Sequence, residues 1–158
     1  MRALCAALML SACAYAPASA PTPEPTPGSQ SPVLPRELSP LARQVRDQLE
    51  RLDAELNADG VAVAGYGQRA DLGGGLTVRP IAVIEDSRCP GNTQCLWEGR
   101  LRIRAFVAGR DRELTLGQTL QTETGAVEFV AASPGAWAEW PSDELGPRPA
   151  YRFGFRRG

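Results

Sequence analysis

Two cysteines, Cys89 and Cys95, frame the stretch in which this chain's chemically capable residues are densest. Around them stand the carboxylates Glu85, Asp86 and Glu98, together with Arg88 and Trp97. Such residues offer redox chemistry, acid–base chemistry or anion recognition. Catalytic dithiols are usually C-x-x-C at a helix N-terminus, where the thiolate is stabilised. Here the cysteines lie further apart in a strand–loop–strand setting, so a structural staple is the plainer reading. Two of the carboxylates, brought within roughly 5–10 Å in a cleft, would serve a glycan-active enzyme as acid and base. Asp86 beside Ser87 and Arg88 more simply reads as an ion pair and local hydrogen bonds that shape the loop. No histidine occurs in the chain. That removes the commonest general base near neutral pH and the commonest metal ligand. Nothing in the spacing calls for a cofactor or a metal, and no catalytic constellation stands out.

Anion recognition has more material. All 17 basic residues are arginine. Arg100, Arg102 and Arg104 alternate with Leu101, Ile103 and Ala105, and successive strand residues face opposite ways. Arg152 and Arg156 alternate with Phe153 and Phe155 in the same manner. Were those two strands neighbours, one face would present guanidinium groups to phosphate or carboxylate partners, such as an anionic envelope component or an acidic protein. The plainer reading is a solvated face neutralised by Glu113 and Glu128 on other strands. Trp137 and Trp140 lie in a loop rich in Pro and Gly, where they either cap the core or form a contact surface.

These residues need a scaffold in the right compartment. The 158-residue chain carries 17 basic and 18 acidic residues, which gives no electrostatic footprint for nucleic acid. Arg2 followed by a short apolar run and small residues reads as a secretory signal, too short for a membrane span. Ala18-Ser19-Ala20 has the form of a signal-peptidase site, but Pro21 after it resists cleavage. Leu10-Ser11-Ala12-Cys13 resembles the bacterial lipobox. The resemblance implies a signal over 1–12 and a lipid on Cys13 that holds the protein to a membrane. Ala14, rather than Asp, after that cysteine favours the outer membrane of a two-membrane cell, with the protein facing the periplasm. An ordinary cut near Ala14, giving a soluble periplasmic or secreted protein, is the alternative. Residues 13–38, dense in proline, read as an unfolded tether.

A helix is expected over 39–59, with Ser39 as N-cap, Pro40 in the first turn and Gly60 as the stop. Ala42, Val45, Leu49, Leu52 and Leu56 form one apolar stripe. Arg43, Asp47, Arg51 and Glu55 form an i,i+4 ladder of alternating sign. The stripe's default use is packing on the β domain, with a short coiled coil as the minor alternative. Residues 60–158 change to alternating, β-rich runs, with candidate strands over 61–66, 76–85, 96–107, 113–116, 126–131 and 150–155. Gly73-Gly74-Gly75 is a turn and Ala108-Gly109-Arg110-Asp111 a hairpin loop. About six strands without βαβ alternation make the fold class mainly β, a small antiparallel sandwich or barrel behind one amphipathic helix. In an oxidising compartment Cys89 and Cys95 should pair. Trp97, two residues beyond Cys95, is expected on the strand face against neighbouring side chains. Gly99 suits a bulge or a close backbone approach.

The run Asp86-Ser87-Arg88-Cys89-Pro90, then Cys95, Trp97 and Gly99, is similar to a D-S-R-C-P-x4-C-x-W-x-G motif recurring in uncharacterised bacterial lipoproteins and secreted proteins. The later Ala131-Ala132-Ser133-Pro134 and Tyr151-Arg152-Phe153 segments resemble the same family, over roughly 66–155. The resemblance implies a compact β domain outside the cytoplasm and brings no activity with it. Together these readings point to an envelope lipoprotein acting as a non-enzymatic binding or structural module. A carboxylate-dependent glycan-active enzyme and a hydrolase inhibitor acting through the disulfide loop are the alternatives.

Overall fold

The computed structural model describes residues 37–158. The expected signal, Cys13 and nearly all of the tether lie outside the described residues.

The chain enters through helix α1 (Pro40–Leu56), whose N-cap Ser39 side chain accepts a hydrogen bond from the Ala42 N–H and whose first turn carries Pro40. It then runs β1 (Val61–Ala64), β2 (Ala70–Asp71), β3 (Thr77–Asp86), β4 (Leu101–Val107), β5 (Arg110–Thr115), β6 (Thr119–Thr122) and β7 (Gly125–Ser133). A one-turn helix α2 (Ser142–Leu145) precedes β8 (Arg152–Arg157). The strands form two four-stranded antiparallel sheets, ordered β1-β8-β7-β6 and β2-β3-β4-β5. The expected mainly β, sandwich-like fold is what forms. Two short strands, β2 and β6, add to those read from the sequence, because runs of two and four residues are too brief to show alternation.

The alternation on β4 does what its pattern says. Leu101, Ile103, Ala105 and Val107 are buried and the residues between them are not. They meet Val127, Phe129, Phe153 and Phe155 of the other sheet in one shared core. Burying three phenylalanines supplies much of its driving force, at about 1.5–3 kcal/mol for each side chain.

The helix covers the opposite face of the β1-β8-β7-β6 sheet. Ala42, Val45 and Leu56 are fully buried beneath it. Leu56 sits directly on Gly154, where an added Cβ would come within 2.9 Å of the leucine's Cδ2. An irregularity between Phe129 and Ala131 turns Ala131 to the helix side while Ala132 returns to the core. Packing on the domain, rather than self-association, accounts for the buried stripe. The i,i+4 ladder expected on the exposed side is not what forms. Arg46 pairs with Asp47 and Glu50, while Asp53 reaches across to Arg152 at 2.8 Å.

Two strand boundaries are corrected. The ladder starts at Leu101 rather than residue 96, because the chain rejoins β3 only at the Asp86–Leu101 pair. The hairpin turn is the two residues Ala108-Gly109, both with positive φ, so Arg110 and Asp111 already belong to β5. Positive φ at both central residues matches the twist of the flanking strands. Among the described residues, no helix is long and apolar enough to cross a membrane.

Candidate binding surface at the disulfide loop

Residues 87–100 leave β3 and return as β4, and Cys89 and Cys95 are joined in a disulfide, Cα to Cα 5.9 Å. The loop is held at its base and along one side. At the base, Gly99 lies so close to Ser87 that a Cβ would stand 1.4 Å from the Ser87 carbonyl oxygen. The Ser87 N–H donates to the Arg100 carbonyl at 2.9 Å, and the Arg100 N–H returns to Ser87 Oγ at 3.1 Å. The close approach read from Gly99 is therefore real, and it closes the loop's neck.

Along the side, Arg88 donates twice to Asp86, Nε to Oδ1 and Nη2 to Oδ2, both at 2.8 Å, and once to the Pro134 carbonyl at 3.1 Å. Tyr151 donates its hydroxyl to the same Asp86 carboxylate. The Arg88 and Asp86 side chains are only 15 % and 16 % exposed. Burial pushes the Asp86 carboxyl up, but the hydrogen bonds from Arg88 and Tyr151 outweigh it, so its pKa lies below the ordinary value. Burial, then the hydrogen bond to Asp86 and its charge, push the Tyr151 phenol up to about 12. Further along, the Gly91 N–H donates to the Ala136 carbonyl at 2.9 Å, and the Ala138 N–H to Asn92 Oδ1 at 3.2 Å. The structural reading of Asp86 and Arg88 thus describes what they do.

Trp137 is buried behind this loop. Its indole N–H donates to Gln48 on α1, and its ring lies where a Cβ on Gly91 would be 3.1 Å away. Trp140 is half-buried, donating to the Gly146 carbonyl at 2.8 Å with the Arg148 guanidinium 5.3 Å from its ring centre. Trp137 ties helix, disulfide loop and 134–150 loop together, while the contacts of Trp140 hold the 134–150 loop on itself.

Trp97 behaves differently, and the expectation for it is corrected. It does not pack against the sheet. It is 72 % exposed and its neighbour Leu96 is 95 % exposed. The reason is the neck: with Gly99 pressed on Ser87, residues 96–99 cannot join the ladder, so the alternation that would place Trp97 on a face does not apply. Beside this apolar pair stands Glu98, exposed and in no hydrogen bond or ion pair among the described residues.

The arginine stripe is also placed differently from the reading that gave it a partner surface. Strands β4 and β8 lie in opposite sheets, so Arg100, Arg102 and Arg104 are on one outer face and Arg152 and Arg156 on the other. Each has an acidic partner. Arg100 and Arg102 reach Glu85, Arg102 also pairs with Glu113, Arg104 with Asp111, Arg152 with Asp53 and Arg156 with Glu128. Hydrogen bonds from Ser87 and Arg100 hold the Glu85 carboxyl below its ordinary pKa. Glu85 and Asp86 are thereby committed to structural pairs. Among the described residues, no group of three or more Cys, Asp or Glu side chains could hold a metal ion.

The chain matches no protein-family model, no curated protein and no solved structure. What this end of the domain can do is set by its own chemistry: a constrained loop presents two large apolar side chains and one carboxylate to solvent. The sequence carried a signal for it in Gly99, two residues beyond Trp97, whose close approach to Ser87 keeps Trp97 out of the strand that begins at Leu101.

Proposed function

We propose that this protein is a non-enzymatic binding module outside the cytoplasm, anchored through lipid on Cys13, that engages a protein partner through Leu96 and Trp97. One observation carries the reading. Two large apolar side chains stand exposed on a loop braced by a disulfide, a closed neck and a buttressing ion pair. Exposing such groups in water is unfavourable at about 25 cal/mol for each Å² that could be buried. Bracing lowers the ordering cost of burying them against a partner. Aromatic anchors of this kind dominate many interfaces.

A disulfide in the domain fits an oxidising compartment. The lipobox resemblance and the likeness to the D-S-R-C-P family support an envelope address, with the outer membrane favoured. The exposed, braced loop also suits the inhibitor reading, in which the partner is a hydrolase whose cleft takes the tip. Glu85 and Asp86 each pair with arginine, which speaks against their serving as acid and base in the glycan-active alternative.

The test is a photo-crosslinking residue at position 97 in living cells of the source organism, compared with the same residue at 104. A discrete adduct at 97, absent at 104 and lost when Leu96→Ser is added to the chain carrying the crosslinker, is the expected result. Equal labelling at both sites, or none, overturns the proposal. Fatty-acid labelling lost in Cys13→Ser checks the anchor.

A further inference from the structure

The paired arginines leave others spare, and two of the spare ones stand together. Arg79 on β3 lies opposite Phe106 on β4, its guanidinium 4.8 Å from the ring centre. Arg69 immediately precedes β2. The ladder pairs Ala70 with Val78, and Arg69, the residue before that pair, lines the same pocket as Arg79. Like charges held side by side are destabilising. Neither guanidinium has a hydrogen bond or ion pair among the described residues, although most arginines of the chain do. Of the acids nearby, Asp71 accepts the Gly73 N–H on Oδ1 at 2.8 Å and makes no ion pair among the described residues, and Asp111 holds Arg104.

The two arginines, with Thr77, Phe106 and Gly109, line a surface pocket of about 160 Å³. At roughly 30 Å³ for each water it would displace, a tetrahedral oxyanion fits with solvent to spare. Arg79 stacked on Phe106 is held in place, the Thr77 hydroxyl is a further donor, and Gly109, bearing no side chain, leaves one wall open.

We infer that this pocket is a phosphate-binding site, distinct from the disulfide-loop surface and independent of it. Two guanidinium forks and a hydroxyl match a phosphate group in charge and donor geometry. Binding an anion between the two guanidinium groups relieves their mutual repulsion.

The test uses the full chain, with inorganic phosphate as the probe and chloride at equal ionic strength as the control. Saturable shifts of the Arg69 and Arg79 Nε–H resonances are expected, with affinity falling roughly tenfold or more in Arg69→Gln and Arg79→Gln and unchanged in Arg112→Gln. The two affected variants should also melt at or above the parent temperature in phosphate-free buffer, and phosphate should no longer raise it. Non-saturable shifts, shifts matched by chloride, or variants that bind as the parent does would overturn the site. Flotation with phosphatidylcholine vesicles, with and without phosphatidic acid, then separates the sources. Flotation dependent on phosphatidic acid and on both arginines assigns a lipid headgroup, and phosphate binding without flotation assigns a soluble phosphate ligand.

Discussion

Asp86 is the residue on which the disulfide end of the domain turns. It accepts two bonds from the Arg88 side chain, one from the Arg88 N–H and one from Tyr151, and through Arg88 it reaches the Pro134 carbonyl. The pKa directions set a stability window. The Asp86 carboxyl is depressed in the folded state, so its contribution is present above the unfolded carboxylate value of about 4 and is lost as pH falls through the lower folded value. The Tyr151 phenol is raised to about 12, so its contribution is present below the ordinary 10.0 and is lost as pH rises towards 12. Chemical denaturation across pH should show both limbs. In Asp86→Asn the acid limb should shrink and stability near neutrality fall by about 2 kcal/mol, the worth of a charge-assisted bond. The pairing of Asp86 with Arg88 was legible in the sequence, since they lie two residues apart. Tyr151 was not, because it arrives from the far end of the chain.

At the scale of elements, helix α1 depends on a sheet face with no side chain where it lands. Gly154 leaves room for Leu56, and its Cβ would also lie 3.0 Å from Val61 Cγ1. Gly154→Val should therefore lift the helix and destabilise the domain by about 1–3 kcal/mol, the usual cost of overpacking, read as a lower melting temperature. If the variant melts with the parent, the helix does not seat there. The helix itself was plain from Ser39, Pro40 and its apolar stripe. Which face of which sheet it would cover was not, because that depends on the register of β7 and β8, which pairs Ala131 with Gly154.

Across the whole molecule the sandwich has two unlike ends. The disulfide loop, the 134–150 loop and Trp137 gather at one, and the β4–β5 hairpin with the Arg69–Arg79 pocket lies towards the other. The disulfide closes a small ring, worth on the order of 2 kcal/mol through loop entropy, and it stands outside the phenylalanine core. Cys89→Ser/Cys95→Ser should accordingly keep the β-sheet circular-dichroism signature and unfold cooperatively with roughly that loss. Crosslinking through position 97 should weaken by more than that change in stability implies. Collapse of the fold would instead place the disulfide in the core's support.

Local periodicity, cap chemistry and a short loop were enough to read the helix, the β class and the disulfide, and they left a bulge or a close approach open at Gly99. What the arginines and tryptophans contact was settled by how distant segments assemble. Alternation assigns a side chain to a face but not to a sheet. Strand order therefore had to separate Arg102 from Arg156, bring Glu85, Glu113 and Glu128 to them, and leave Arg69 and Arg79 unpaired. In the same way, burial of Trp137 against Gln48 and exposure of Trp97 were settled by contacts between distant segments, which no local pattern records.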